Sequence, residues 1–184
     1  MTLPASDGPF LWNVAGLLGE PPGADRIHEI HGAPIDLGDD LRLAEPVEGR
    51  ARLVRTNRGI VAGANIRAAL ALECSRCLRD IRVPVDLELQ EEYLPSIDVA
   101  TGHPLSTTDE PDVLRLTDHH ELGLETPIRE AIQLAEPIAP ICRPDCPGLC
   151  VVCGGRLDDG PHDHPDDDVD PRLAVLRGFK ADGV

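Results

Sequence analysis

Six cysteines dominate the chemistry available to this chain of 184 residues. Cys74-Ser-Arg-Cys77 and Cys150-Val-Val-Cys153 are both CxxC units. Each unit folds into a tight turn that aims two thiolates at one ion, and two such turns complete the tetrahedral shell of a structural zinc site. Gly154-Gly155 follows the second pair and lets the backbone curl beneath a metal with positive φ. The expected site therefore joins Cys74 and Cys77 to Cys150 and Cys153, with zinc as cofactor. An alternative uses Cys142, Cys146, Cys150 and Cys153 as a local quartet and leaves Cys74 and Cys77 free. Either closed shell is structural, because no position is open to water or substrate. CxxC also serves thioredoxin-type exchange. A redox pair sits where a strand enters a helix, whereas here Cys74 ends one predicted strand and Pro84 lies early in the next. His162 and His164, set among aspartates, read as solvated tail residues, as do His119 and His120 in a loop.

No hydrolase signature accompanies the cysteines: neither GxSxG nor a phosphate-binding glycine loop is present. The chain is thus expected to be no enzyme and to have no small-molecule substrate. Net charge is −16, with 17 basic and 33 acidic residues. The charge is segregated. Residues 42–82 hold nine arginines against four acids, a net of +5, which leaves −21 for the rest. Arg50, Arg52, Arg67, Arg76, Arg79 and Arg82 are the candidates for phosphate contact. Aromatics make up 2% of the chain, which argues against a base-stacking platform. No run approaches a membrane helix, and Met1–Glu20 lacks the basic start of a signal peptide, so a cytoplasmic protein without membrane partners is expected. There, cysteines stay reduced or bind metal.

The elements that must position these residues are an antiparallel meander and one helix. Ile60, Ala62, Ala64, Ile66, Ala68, Leu70 and Leu72 share one phase of a long predicted strand, and Val61, Asn65, Arg67 and Glu73 the other. Thr56-Asn57-Arg58-Gly59 reads as the preceding hairpin turn, with Asn and Gly supplying positive φ. Val83, Val85, Leu87 and Leu89 alternate in the next strand, where Pro84 predicts an edge. Cys74 and Cys77 cap the hairpin between the two. Ala51 and Leu53 alternate with Arg50 and Arg52 in the strand before the 56–59 turn, short strands are expected near 27–30 and 41–43, and a long loop over 94–121. Leu124, Ile128, Ala131, Ile132 and Ala135 mark an amphipathic helix, with Thr126 as N-cap, Pro127 at the first position and Pro137 beyond the end. Phe10, Leu11, Trp12, Val14 and Leu17 anchor the lead-in. The expected fold is α+β: a twisted antiparallel sheet or partly closed barrel, one packed helix and a cysteine zinc knuckle. It forms a single domain over 1–157, followed by an acidic disordered tether at 158–170 and a short docking helix at 171–184.

Several of these motifs, taken in order, resemble the bacterial YceD family. They are Leu72-Glu73-Cys74-Ser75-Arg76-Cys77-Leu78, the strand ending Glu91-Glu92-Tyr93, Cys146-Pro147-Gly148-Leu149-Cys150-Val151-Val152-Cys153-Gly154, and Asp170-Pro171-Arg172-Leu173-Ala174-Val175-Leu176. The lead-in ending Pro21-Pro22-Gly23 and the helix ending Leu134-Ala135-Glu136-Pro137 also fit. The resemblance implies a ribosome-biogenesis factor that supports accumulation of large-subunit ribosomal RNA. Its partners would be that RNA or a pre-ribosomal particle. Two other functions stay open: an acidic adaptor for a ribosomal protein or ribonuclease, and a thiol-redox protein.

Overall fold

The computed structural model describes residues 8–105, 113–164 and 172–173. The chain enters through β1 (Leu11–Asn13) and α1 (Ala15–Leu18). It then lays down β2 (Asp25–Ala33), β3 (Arg42–Arg55), β4 (Ile60–Glu73) and β5 (Asp80–Leu94) as an antiparallel meander. β6 (Leu114–Arg115) adds to β5 in parallel. β7 (Glu121–Gly123) returns to pair with β1, and α2 (Glu125–Leu134) follows at once. The sheet order is β2-β3-β4-β5-β6, so β2 and β6 lie at opposite ends and the sheet stays open.

Alternation decides which face is buried. Ile60, Ala62, Ala64, Ile66, Ala68 and Leu70 of β4 are buried, and Asn65, Arg67 and Glu73 are exposed. Val85 and Leu89 of β5 continue the inner face. α2 covers it with Ile128 and Ile132, both 0% exposed. Full burial of such a side chain is worth about 1.5–3 kcal/mol. Phe10, Val14 and Leu17 close one end of this core, as expected, while Trp12 stacks on His28 with ring centroids 5.0 Å apart. The Tyr93 hydroxyl donates to the Gly123 carbonyl at 2.6 Å and ties β5 to β7.

Several local expectations need correction. β2 is longer than the short strand foreseen, and β3 joins the expected 41–43 strand to the one around 50–53 without a break. β3 continues through Pro46 because its register shifts between Leu43 and Glu48, and such a bulge tolerates a residue without an N–H. The 56–59 turn contains no positive-φ residue. Thr56 Oγ1 instead accepts from the Gly59 N–H at 3.0 Å. Gly59 is required for clearance, since a Cβ there would lie 2.0 Å from the Tyr93 carbonyl oxygen. α2 is capped by Leu124 without a side-chain bond, so Thr126 and Pro127 fall inside the first turn, where a missing N–H costs little. The Leu124 N–H donates to the Phe10 carbonyl, which fixes this earlier start. The 94–121 loop contains β6 and a buried Leu116. Pro84 does sit on an edge: β5 meets β6 only at Tyr93 and Leu94.

Candidate metal centre

The β4–β5 hairpin carries Cys74 and Cys77 at its tip. The Cys74 N–H donates to the Arg79 carbonyl at 2.8 Å and the Leu78 N–H to the Cys74 carbonyl at 2.9 Å. Leu78 takes φ 54°, so the turn curls back and both sulfurs face one side. Beyond α2, Pro137 and Pro140 redirect the chain toward this tip, where the Pro140 carbonyl accepts the Ser75 N–H at 2.8 Å. Cys142 and Cys146 arrive there. Cys74 Sγ lies 3.8 Å from Cys146 Sγ, and Cys77 Sγ lies 3.8 Å from Cys142 Sγ. All four sulfurs fall within 4.8 Å of one another. A regular tetrahedron with Zn–S bonds of about 2.3 Å has S···S edges of about 3.8 Å. The residues fit a zinc ion.

The pairing therefore differs from both sequence expectations. Cys74 and Cys77 meet Cys142 and Cys146, not Cys150 and Cys153. The physical reason is the path of the chain. The Leu149–Arg156 bridge closes a second, separate turn around Cys150 and Cys153, with the Cys150 N–H donating to the Gly155 carbonyl at 2.7 Å. Gly154 has the expected positive φ, 72°. That turn presents its sulfurs to His162 and His164, which are therefore not solvated tail residues: Cys153 Sγ is 3.4 Å from His162 Nδ1 and Cys150 Sγ is 3.3 Å from His164 Nε2. The missed signal is arithmetic. Six cysteines and an HxH make eight ligands, enough for two shells of four.

The electrostatics of the first quartet suit a dication. Burial opposes ionisation at Cys74, yet the backbone N–H groups of Cys77, Arg76 and Cys142 aim at its sulfur and hold the thiol down to about 6. Burial pushes the Cys77 thiol up. Cys142 is raised to about 12, first by its hydrogen bond with Cys146 and then by burial. Four crowded thiols cannot all ionise alone, whereas a bound dication would supply the compensating charge.

Six arginines were expected to meet phosphate. Arg50, Arg52 and Arg67 lie on the exposed face of β3 and β4, and Arg76, Arg79 and Arg82 at or beside the knuckle. Four of them are paired with carboxylates: Arg50 with Glu29 and Arg52 with Asp25 at 2.8 Å, Arg82 with Glu45 at 2.5 Å, and Arg79 with Asp158 at 3.3 Å. Arg50 and Arg67 line a shallow depression of about 660 Å³ together with Glu29, Asp86 and Glu88. Arg76 Nη1 donates to the Cys146 carbonyl at 3.1 Å.

Residues 158–164 of the expected tether make specific contacts. The side chain of Asp158 is 15% exposed and accepts from both Arg79 and Arg143. Residues 165–171 and 174–184, including nearly all of the expected terminal helix, lie outside the described residues. Among the described residues, no helix is long and apolar enough to cross a membrane.

Comparison with known proteins agrees with the motifs. An uncharacterized protein of Mycobacterium tuberculosis is 35% identical over 163 residues, which span 86% of this chain and 76% of that protein. A Mycobacterium bovis counterpart matches equally. An uncharacterized Mycobacterium leprae protein is 33% identical over 157 residues, 83% of this chain and 62% of its own. No solved structure matches the chain. The profile of the large ribosomal RNA subunit accumulation protein YceD matches residues 62–180, from β4 through both cysteine turns, and the chain belongs to that family.

Proposed function

We propose that this protein is a non-enzymatic, cytoplasmic ribosome-biogenesis factor that supports accumulation of large-subunit ribosomal RNA. In this reading a structural zinc ion at Cys74, Cys77, Cys142 and Cys146 fastens the C-terminal segment to the sheet. Family membership over residues 62–180 carries the reading. Depleting the protein in its host should lower large-subunit ribosomal RNA relative to small-subunit RNA. An unchanged ratio, with normal particle profiles on a sucrose gradient, sinks the proposal.

Direct RNA contact would come from Arg50, Arg52, Arg67, Arg76, Arg79 and Arg82 on phosphates. Exposed ion pairs are worth about 0–1 kcal/mol, so phosphates can exchange for the carboxylate partners of Arg50, Arg52 and Arg82. Binding of this kind weakens steeply with salt. It should also weaken when Arg76, Arg79 and Arg82 are replaced by Ala. Salt-independent binding, or unchanged affinity of that variant, tells against it.

A second reading is favoured by the ion pairing itself. Because Arg50, Arg52 and Arg79 have carboxylate partners from outside the +5 segment and Arg82 one from within it, the segment is partly neutralised, and the acidic remainder would dock on a basic ribosomal protein or a ribonuclease. Recovery of such proteins after nuclease treatment supports this adaptor mode; their loss on nuclease treatment supports RNA contact. A redox role is disfavoured, since Cys74 and Cys77 occupy a hairpin turn beside two further thiols and not the start of a helix.

A further inference from the structure

We propose that Cys150, Cys153, His162 and His164 form a second, water-facing zinc site, so that the chain binds two ions of different donor chemistry. The inference stands apart from the ribosomal reading, because it concerns the metal content of the chain alone.

Geometry argues for it first. The four ligand atoms lie within 4.8 Å of one another. Tetrahedral bonds of about 2.3 Å to sulfur and about 2.05 Å to nitrogen place S and N about 3.5 Å apart. The two S···N distances are 3.3 and 3.4 Å. The surrounding bonds argue for it independently. His162 Nε2 donates to the Arg156 carbonyl at 2.9 Å. A carbonyl can only accept, so Nε2 carries a proton, and in the neutral ring the lone pair of Nδ1 then faces Cys153. Zinc-binding imidazoles are oriented in this way by a bond from their other nitrogen. The Gly155 N–H also points at Cys153 Sγ, at 3.4 Å, a bond from outside the shell of the kind that orients a metal ligand.

Two thiolates and two imidazoles in a tetrahedron select zinc. With four protein ligands the shell is closed, so the ion would be structural. It would hold residues 158–164 in place and thereby keep Asp158 on Arg79 and Arg143. The two sites differ in access. Cys74 and Cys77 are fully buried, whereas Cys153 is exposed and both histidines are half-buried. A chelator should therefore strip the second site first.

The test is metal stoichiometry on the full chain. Native mass spectrometry of protein purified with Zn²⁺ should find two ions, and the His162→Ala/His164→Ala variant should hold one. Release to a colorimetric chelator should be biphasic, with the fast phase absent from the variant. A single ion in the wild-type chain, or two in the variant, overturns the proposal. If the variant loses both ions, the Co²⁺ spectrum of the wild-type chain decides. Four-sulfur ligation together with a two-sulfur, two-nitrogen component at shorter wavelength supports the second site; four-sulfur ligation alone refutes it.

Discussion

Arg156 donates from Nε to the Cys77 carbonyl at 2.8 Å and from Nη2 to the Leu78 carbonyl at 3.0 Å. Its own carbonyl accepts from His162. One residue thus satisfies carbonyls of the first cysteine turn and orients a histidine beside the second. Bonds from a charged donor are worth about 1.5–3 kcal/mol. Arg156→Ala should lower stability by about 1–3 kcal/mol in urea unfolding and speed zinc loss to a chelator. Unchanged release kinetics would leave Arg156 as surface decoration only. Nothing in the sequence singles this arginine out, because its role depends on which turn lies opposite it. The cysteines themselves were legible, since CxxC spacing fixes a local turn. Which pair meets which was not, because spacing says nothing about the path between 77 and 142.

At the scale of elements, β4 and β5 were readable because period two separates Ile60, Ile66 and Leu70 from Asn65 and Arg67 without knowledge of the partner strands. β3 reads as two separate strands, at 41–43 and around 50–53, because its register with β4 shifts between Leu43 and Glu48 and the alternation is lost there. β6 has two residues and no periodicity to read. The start of α2 was displaced because the tertiary bond from the Leu124 N–H to Phe10 outcompetes the local capping signal at Thr126. Gly59 was noticed for the wrong property. Its task is to let the end of β5 approach, and Gly59→Ala should cost about 3 kcal/mol or more, as overpacking against backbone does. Chemical denaturation measures this; a loss under about 1 kcal/mol would mean that the Tyr93 backbone yields easily.

For the whole molecule, the sheet with α2 and the cysteine-rich segment are stabilised by different means. The first rests on apolar burial and the second on a small cluster of Cys74, Cys77 and Cys146 with few apolar neighbours. Metal removal should therefore act unevenly. Treatment with a strong chelator is expected to expose residues 141–164 to protease while β2–β5 stay protected, as read by limited proteolysis with mass spectrometry. Acidification should do the same, since thiolate ligands take up protons and release the ion as pH falls. Uniform digestion of the whole chain would show that the sheet does not stand without metal.

Cys74 and Cys146 are 72 residues apart in the chain yet share one quartet. On a translating ribosome, at about 5–20 residues per second, roughly 4–14 s separate the synthesis of these two ligands. The hairpin tip thus waits, with two thiols uncommitted, until the segment beyond α2 has been made. A nascent chain that stops before Cys142 lacks half of the quartet. The long span makes synthesis of Cys142 and Cys146 a condition for closing the quartet, so capture of a metal there would report that translation has passed α2.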